Sequence, residues 1–247
     1  IRRTAKRTAR NIISQYADSS FKPMQMEFVF GQNGISPILL ELADGTFVYL
    51  QGRIDRIDMT ADGAVRIIDY KSGGKKFDPT LVYWGLQLQL LLYMAAAVAR
   101  IPESRAAGFF YCRVADPTVK TEIRMKEEVE KQIAKKLALS GITLSDVSIL
   151  RAQGGAQAGM VTKDGKPNGR YASSMVTDEG MEHLIAFARN KATTLAGDIY
   201  AGIIDDSPYE RGSLNACQSC DYASICTFDP ERKPRRRLSA KTLDDLL

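Results

Sequence analysis

The chain has one histidine in 247 residues, no long apolar run, no G-x-x-x-x-G-K-[ST] phosphate loop and no cysteine before Cys112. Each absence removes a class of protein. Spanning a bilayer takes a run of about 18 apolar residues. None is present, and the opening IRRTAKRTAR lacks the apolar core of a secretory signal, so a cytoplasmic protein without membrane association is expected. Without a phosphate loop this segment is not expected to hydrolyse ATP. The lone His183 falls near the start of a helical stretch, where a surface position is expected rather than a ligand.

What is present is ordinary globular material. A chain 45% hydrophobic and 26% charged supports one large domain with a real core. Its 34 basic and 29 acidic residues leave +5, a balance that suits a polyanionic partner. The first residue is Ile1 rather than Met, as expected of a segment from a longer polypeptide.

Gly52 to Lys71, reading GRIDRIDMTADGAVRIIDYK, has the pattern of a β-hairpin. Its first arm, Thr46 to Met59, is rich in β-branched and aromatic residues, Ala61-Asp62-Gly63 supplies the turn, and Ala64 to Tyr70 forms the second arm. Asp69 ends an apolar run, and Lys71 follows two residues later. Residues two apart on a strand share a face, so these side chains project together, and Asp55 on the other arm can reach the same point. Two carboxylates and an ammonium around one point suit a divalent cation and a water placed against a phosphate. A surface ion pair at a strand end is the plainer reading of Asp69 and Lys71.

Residues Ile1 to Ala17 read as a basic helix with Ile12, Ile13 and Tyr16 on its apolar stripe and Arg2, Arg3, Lys6, Arg7 and Arg10 on its polar face. Gln25 to Phe30 alternates like a strand and carries Glu27, and Ile38 to Leu42 and Phe47 to Gly52, with Asp44-Gly45 as the turn between them, are expected to continue the antiparallel sheet. After Lys71, Ser72 to Lys76 forms a loop whose Lys75 and Lys76 could approach a phosphate backbone or serve as a plain linker. Pro79 to Ala99 is expected to be one buried helix, with Gln89 and Tyr93 on one face at i, i+4 and in need of polar partners. Gly108 to Val114 reads as a strand and Met125 to Leu139 as a charged helix. Arg151 to Val176 reads as a loop or short hairpin around Lys163-Asp164-Gly165, and a last helix, capped by Asp178, is expected to reach Ala201.

Near the end stand Cys217, Cys220 and Cys226, spaced C-x2-C-x5-C. Clustered cysteines without a secretion signal favour metal or redox chemistry. Zinc and iron–sulfur sites generally take four ligands, and a redox C-x-x-C leaves Cys226 unexplained. Cys112, within an apolar strand, reads as a small buried side chain.

Asp55, Asp69 and Lys71 resemble the D…(D/E)-x-K signature of the PD-(D/E)xK nuclease superfamily. Gln89 and Tyr93 resemble the Q-x-x-x-Y motif of its RecB-like branch. With the terminal cysteines, Phe228-Asp229-Pro230 and the basic Lys233 to Arg237, the stretch from Phe21 to Leu238 looks like the nuclease end of the AddB family of helicase–nuclease proteins.

The resemblance implies an α/β fold: a mixed central β-sheet flanked by helices, restriction-endonuclease-like, with a cysteine-rich C-terminal extension. It divides the chain into a basic helix (1–20), a nuclease core with a helical insert (21–205), and a cysteine-rich segment with a basic tail (206–247). It implies Mg²⁺ or Mn²⁺ held by Asp55, Asp69 and the Tyr70 carbonyl, with Glu27 beside them. Lys71 would be catalytic, Gln89 and Tyr93 would support the site and contact DNA, and single-stranded DNA ends would be the substrate. It further implies an AddA-like partner and a 4Fe-4S cluster on Cys217, Cys220, Cys226 and a fourth cysteine upstream of Ile1. A CRISPR-adaptation exonuclease with its own cysteine cluster, and a non-catalytic DNA-binding module, are the alternative readings.

Overall fold

A computed structural model of the chain describes residues 1–32, 35–119 and 126–247. In chain order the elements are α1 (Arg2–Ala17), β1 (Lys22–Phe30), β2 (Ile38–Glu41), β3 (Phe47–Leu50), β4 (Gly52–Met59), β5 (Ala64–Lys71), α2 (Pro79–Tyr83), α3 (Gln89–Arg100) and β6 (Arg105–Arg113). There follow α4 (Lys126–Lys136), β7 (Ser140–Leu144), α5 (Val147–Ala152), β8 (Met175–Val176), α6 (Asp178–Tyr200), β9 (Tyr209–Arg211), β10 (Leu214–Asn215) and β11 (Arg236–Arg237). Met125, the expected start of the charged helix, lies outside the described residues.

The central sheet runs β1-β4-β5-β6-β7-β8 and is mixed, as expected: β5 and β6 are parallel, while β4 pairs antiparallel with both β1 and β5. The parallel step needs a crossover, which α2 and α3 supply. One sheet face carries Ile67, Phe109 and Ile142 and packs against Leu90, Leu91 and Met94 of α3 and Leu184 and Ala188 of α6. The other carries Ile68, Phe110 and Cys112 in a smaller cluster. There Gln15 of α1 reaches the Cys112 sulfur at 3.5 Å. Cys112 is buried, as read.

Several local expectations are corrected. The arm from Thr46 to Met59 is two strands: β3 pairs only with β2, in a separate hairpin, and β4 begins at Gly52. Both hydrogen-bonding edges of β4 are taken by β1 and β5, so β3 has no place in the main sheet. The helix from Pro79 to Ala99 is broken between Tyr83 and Gln89. Gly85 takes φ +80°, and a Cβ there would sit 2.8 Å from Leu195 Cδ1, so the reversal requires glycine. Asp178 is not the cap of α6. Thr177 caps it by accepting from the Gly180 amide at 3.1 Å, and Asp178 in the first turn pairs with Arg105 at 2.6 Å.

Helix α1 departs furthest from its pattern, because Ile13 is exposed while Gln15 is 1% exposed. The sheet beneath it presents Arg56, Asp58 and Arg66, all buried, and polar groups at that depth need polar partners. Asp58 Oδ2 accepts from Arg56 at 2.8 Å and Arg66 at 2.9 Å, and Arg56 stacks on the Tyr16 ring at 4.7 Å. Arg3 and Arg7 are not a free basic face, since both pair with Asp116.

The turn at Ala61-Asp62-Gly63 forms as read, with Gly63 at φ +84°. A bridge between Val161 and Pro167 makes the expected short hairpin, and His183 is exposed.

Candidate active site

The ladder between β4 and β5 runs from Met59 opposite Val65 to Arg56 opposite Ile68 and stops there. Beyond it the Tyr70 amide donates to Asp55 Oδ2 at 2.8 Å, so a side chain stands where the next strand's backbone would. Asp55 and Asp69 flank this fork. Asp69 is 1% exposed, and its Oδ2 has no directed hydrogen bond, only the Lys71 ammonium at 2.5 Å. Burial pushes the Asp69 carboxyl above the ordinary carboxylate range; Lys71 offsets part of this, and the Asp55 charge adds to the rise.

Tyr70 is held on both sides of the sheet, because its hydroxyl accepts from Arg56 Nη1 at 2.8 Å in the buried network. Gln89 Nε2 donates to Tyr93 Oη at 3.0 Å, so the two motif residues satisfy each other on the first turn of α3. Tyr93 packs edge-on to Phe30, with ring centroids 6.0 Å apart.

Glu27 sits on β1 between the residues paired with Arg56 and Ile54, one strand from Asp55. Its carboxylate is engaged by Arg53 at 3.0 Å and exposed. Among the described residues no three His, Cys, Asp or Glu side chains are grouped to hold a metal, so Glu27 is not brought together with Asp55 and Asp69. Two carboxylates, one of them buried with an ammonium beside it, are a hard-oxygen set that fits Mg²⁺ or Mn²⁺, ions that keep several waters as ligands.

Two contributors escaped the sequence reading. Tyr111 on β6 lies in register with Asp69, is 1% exposed, and its hydroxyl has no partner. Lys71 Nζ and Lys75 Nζ lie 5.9 Å and 5.2 Å from its ring centroid. Gln87, 3% exposed, accepts from the Asp78 amide and donates to the Lys76 carbonyl, each at 2.8 Å, and so clamps the loop that follows Lys71. Gln87 had a signal, a glutamine inside an apolar stretch. Tyr111 had only a hydroxyl in an otherwise apolar strand. Lys76 offers its backbone to this clamp, and its side chain is exposed.

The cysteines are free thiols, with Cys217 half-buried and Cys220 and Cys226 exposed. They lie beside the small sheet β10-β9-β11, which Arg211 ties to Asp78 at 2.5 Å. Cys112, the remaining cysteine of the sequence, is buried under α1 and cannot join them. Among the described residues these three cysteines are not grouped to hold a metal, and a four-ligand cluster would need a further ligand besides them.

A mixed sheet that splays beside a buried aspartate, with a lysine two residues on, is the frame of a phosphodiester-cleaving domain. The PD-(D/E)XK nuclease superfamily matches residues 1–227, and the chain belongs to that superfamily. It is similar to proteins named as the B component of an ATP-dependent helicase/deoxyribonuclease. That of Alkaliphilus metalliredigens (strain QYMF) is 36% identical over 247 residues, covering 93% of this chain and 21% of that protein. The one from Clostridium tetani (strain Massachusetts / E88) is 37% identical over 239 residues, covering 90% and 21%. The chain spans about a fifth of the length of these curated relatives.

Proposed function

We propose that this domain is the metal-dependent DNA exonuclease module of an AddAB-type helicase–nuclease, acting on single-stranded ends in the cytoplasm beside an AddA-like partner during double-strand break repair and recombination. The observation that carries the reading is the fork itself: Asp55 takes the Tyr70 amide, and beside it the buried Asp69 carboxylate stands against the Lys71 ammonium. The relatives' printed name, with its deoxyribonuclease, supports it.

Asp55, Asp69 and the Tyr70 carbonyl would hold Mg²⁺ or Mn²⁺, which supplies Lewis acidity and a water of lowered pKa when bound. Lys71 leaves Asp69 for the phosphate, orients the attacking water and offsets charge developing on the phosphoryl oxygens, a contribution of a few kcal/mol. Gln89 and Tyr93 keep α3 seated against the fork and contact the strand. Lys75 and Lys76 meet the phosphate backbone. In the longer polypeptide, Cys217, Cys220 and Cys226 would hold a 4Fe-4S cluster with a fourth cysteine from outside this segment.

The test is cleavage of end-labelled single-stranded DNA with Mg²⁺, with Mn²⁺ and with EDTA. Wild type should cut only with metal, and Asp69→Ala and Lys71→Ala should each lose at least about 100-fold in rate with unchanged circular dichroism. Full activity in either variant, or in EDTA, would remove the reading. DNA binding without cutting under any of these conditions would favour a non-catalytic module.

A further inference from the structure

Two ammoniums converge on one buried ring beside the fork. Lys71 is paired with Asp69, whereas Lys75 has no carboxylate partner among the ion pairs of the described residues. The two ammoniums repel each other, and the Asp69 carboxylate offsets part of that repulsion. Partial desolvation beside the ring and the neighbouring Lys71 ammonium lower the Lys75 pKa, and Asp69 offsets part of this. The Tyr111 ring, within the ~6 Å of cation–π contact with both, is the surface on which they gather. Its hydroxyl is buried without a hydrogen-bond partner among the described residues. Lys75 itself is exposed, so a strand can reach it. The loop that carries it is held by Gln87 and by the Phe77 amide, which donates to Ser140 Oγ at 3.2 Å.

We propose that Tyr111, Lys71 and Lys75 form a phosphate-binding subsite for the DNA strand. Lys75 contacts the phosphate next to the one attacked, and Tyr111 positions both ammoniums. Lysine ammoniums neutralise phosphates, and a nucleic-acid strand presents its phosphates in series. The subsite rests on the nuclease reading for its place beside the attacked phosphate, but its binding needs no metal.

The experiment is therefore binding of a fluorescent oligothymidylate of about 12 nucleotides in EDTA, followed by anisotropy across a salt series. Lys75→Gln is expected to weaken binding about tenfold and to lower the slope of log K against log salt by about 0.7, one phosphate contact on a single strand. Tyr111→Leu should weaken it similarly, and the double variant should lose no more than about twofold beyond either single change, because the groups act as a unit. Tyr111→Phe, which keeps the ring, should lose only about threefold, and Lys75→Arg should restore most of the affinity. Unchanged binding in Lys75→Gln, full additivity in the double variant, or no binding by wild type in EDTA each overturns the subsite. Should Tyr111→Leu fail to fold, Lys75→Gln against Lys75→Arg decides. Wild type that binds in this way yet never cuts with Mg²⁺ would defeat the nuclease reading and leave the subsite standing.

Discussion

Asp69 holds a charge where the fold disfavours one. Its folded pKa is raised, so the folded chain keeps the proton better than the unfolded chain does. The metal-free protein should therefore be most stable below about pH 4 as far as this group is concerned. That contribution is lost as pH rises through the raised folded value. Cation affinity should climb over the same window, because only the carboxylate binds. Melts in EDTA across this range, with Asp69→Asn subtracted, isolate the group. At neutral pH Asp69→Asn should raise the melting temperature by about 3 °C, near 1 kcal/mol for a chain of this size, while abolishing cleavage. A lower melting temperature would contradict the strain assigned here. Glu27, engaged by Arg53, should behave differently: Glu27→Gln should keep its rate within about threefold, whereas Asp55→Asn loses on the order of 100-fold. Comparable losses in both would return Glu27 to the metal.

At the scale of elements, motif and support were legible to different degrees. Asp69 and Lys71 could be paired from strand periodicity alone, and Gln89 and Tyr93 from helical periodicity, since both rules concern neighbours on one element. Tyr111 obeys neither rule, because it meets Asp69 only through the parallel pairing of β5 with β6. Helix α1 misled for the opposite reason: periodicity takes the buried face to be apolar, whereas the two buried arginines of the sheet required a polar one. The break before α3 matters too, since it lets Gln87 face the loop after Lys71. Gln87→Ala should leave two backbone groups unsatisfied, speed amide exchange over Ser72 to Asp78, and raise the KM for DNA more than it lowers kcat, at a stability cost of about 1–3 kcal/mol. Unaltered exchange in that loop would refute the clamp.

Over the whole molecule, the terminal segment is tied into the main body. Leu238, Leu243 and Leu246 are buried, Trp84 donates to the Ser239 carbonyl at 3.2 Å, and Lys241 lies over the Tyr83 ring. Removing residues 238–247 should cost at least about 3 kcal/mol, the burial of several leucines discounted for a compact unfolded state. Retention of the wild-type melting temperature would show the segment to be dispensable. By itself the sequence determined the class of fold, the acid–x–lysine strand end and the glutamine–tyrosine face. The last two follow from strand alternation and helical repeat, whereas the class of fold was what the family resemblance implied. Only the tertiary structure decided that β4 and β5 part at Arg56 and Ile68, that Glu27 turns to Arg53, that Cys112 lies under α1 apart from the other cysteines, and that Tyr111 and Lys75 stand beside Asp69. Those are contacts between distant segments, set by strand order and by the need of each buried charge for a partner, and no stretch of sequence carries them alone.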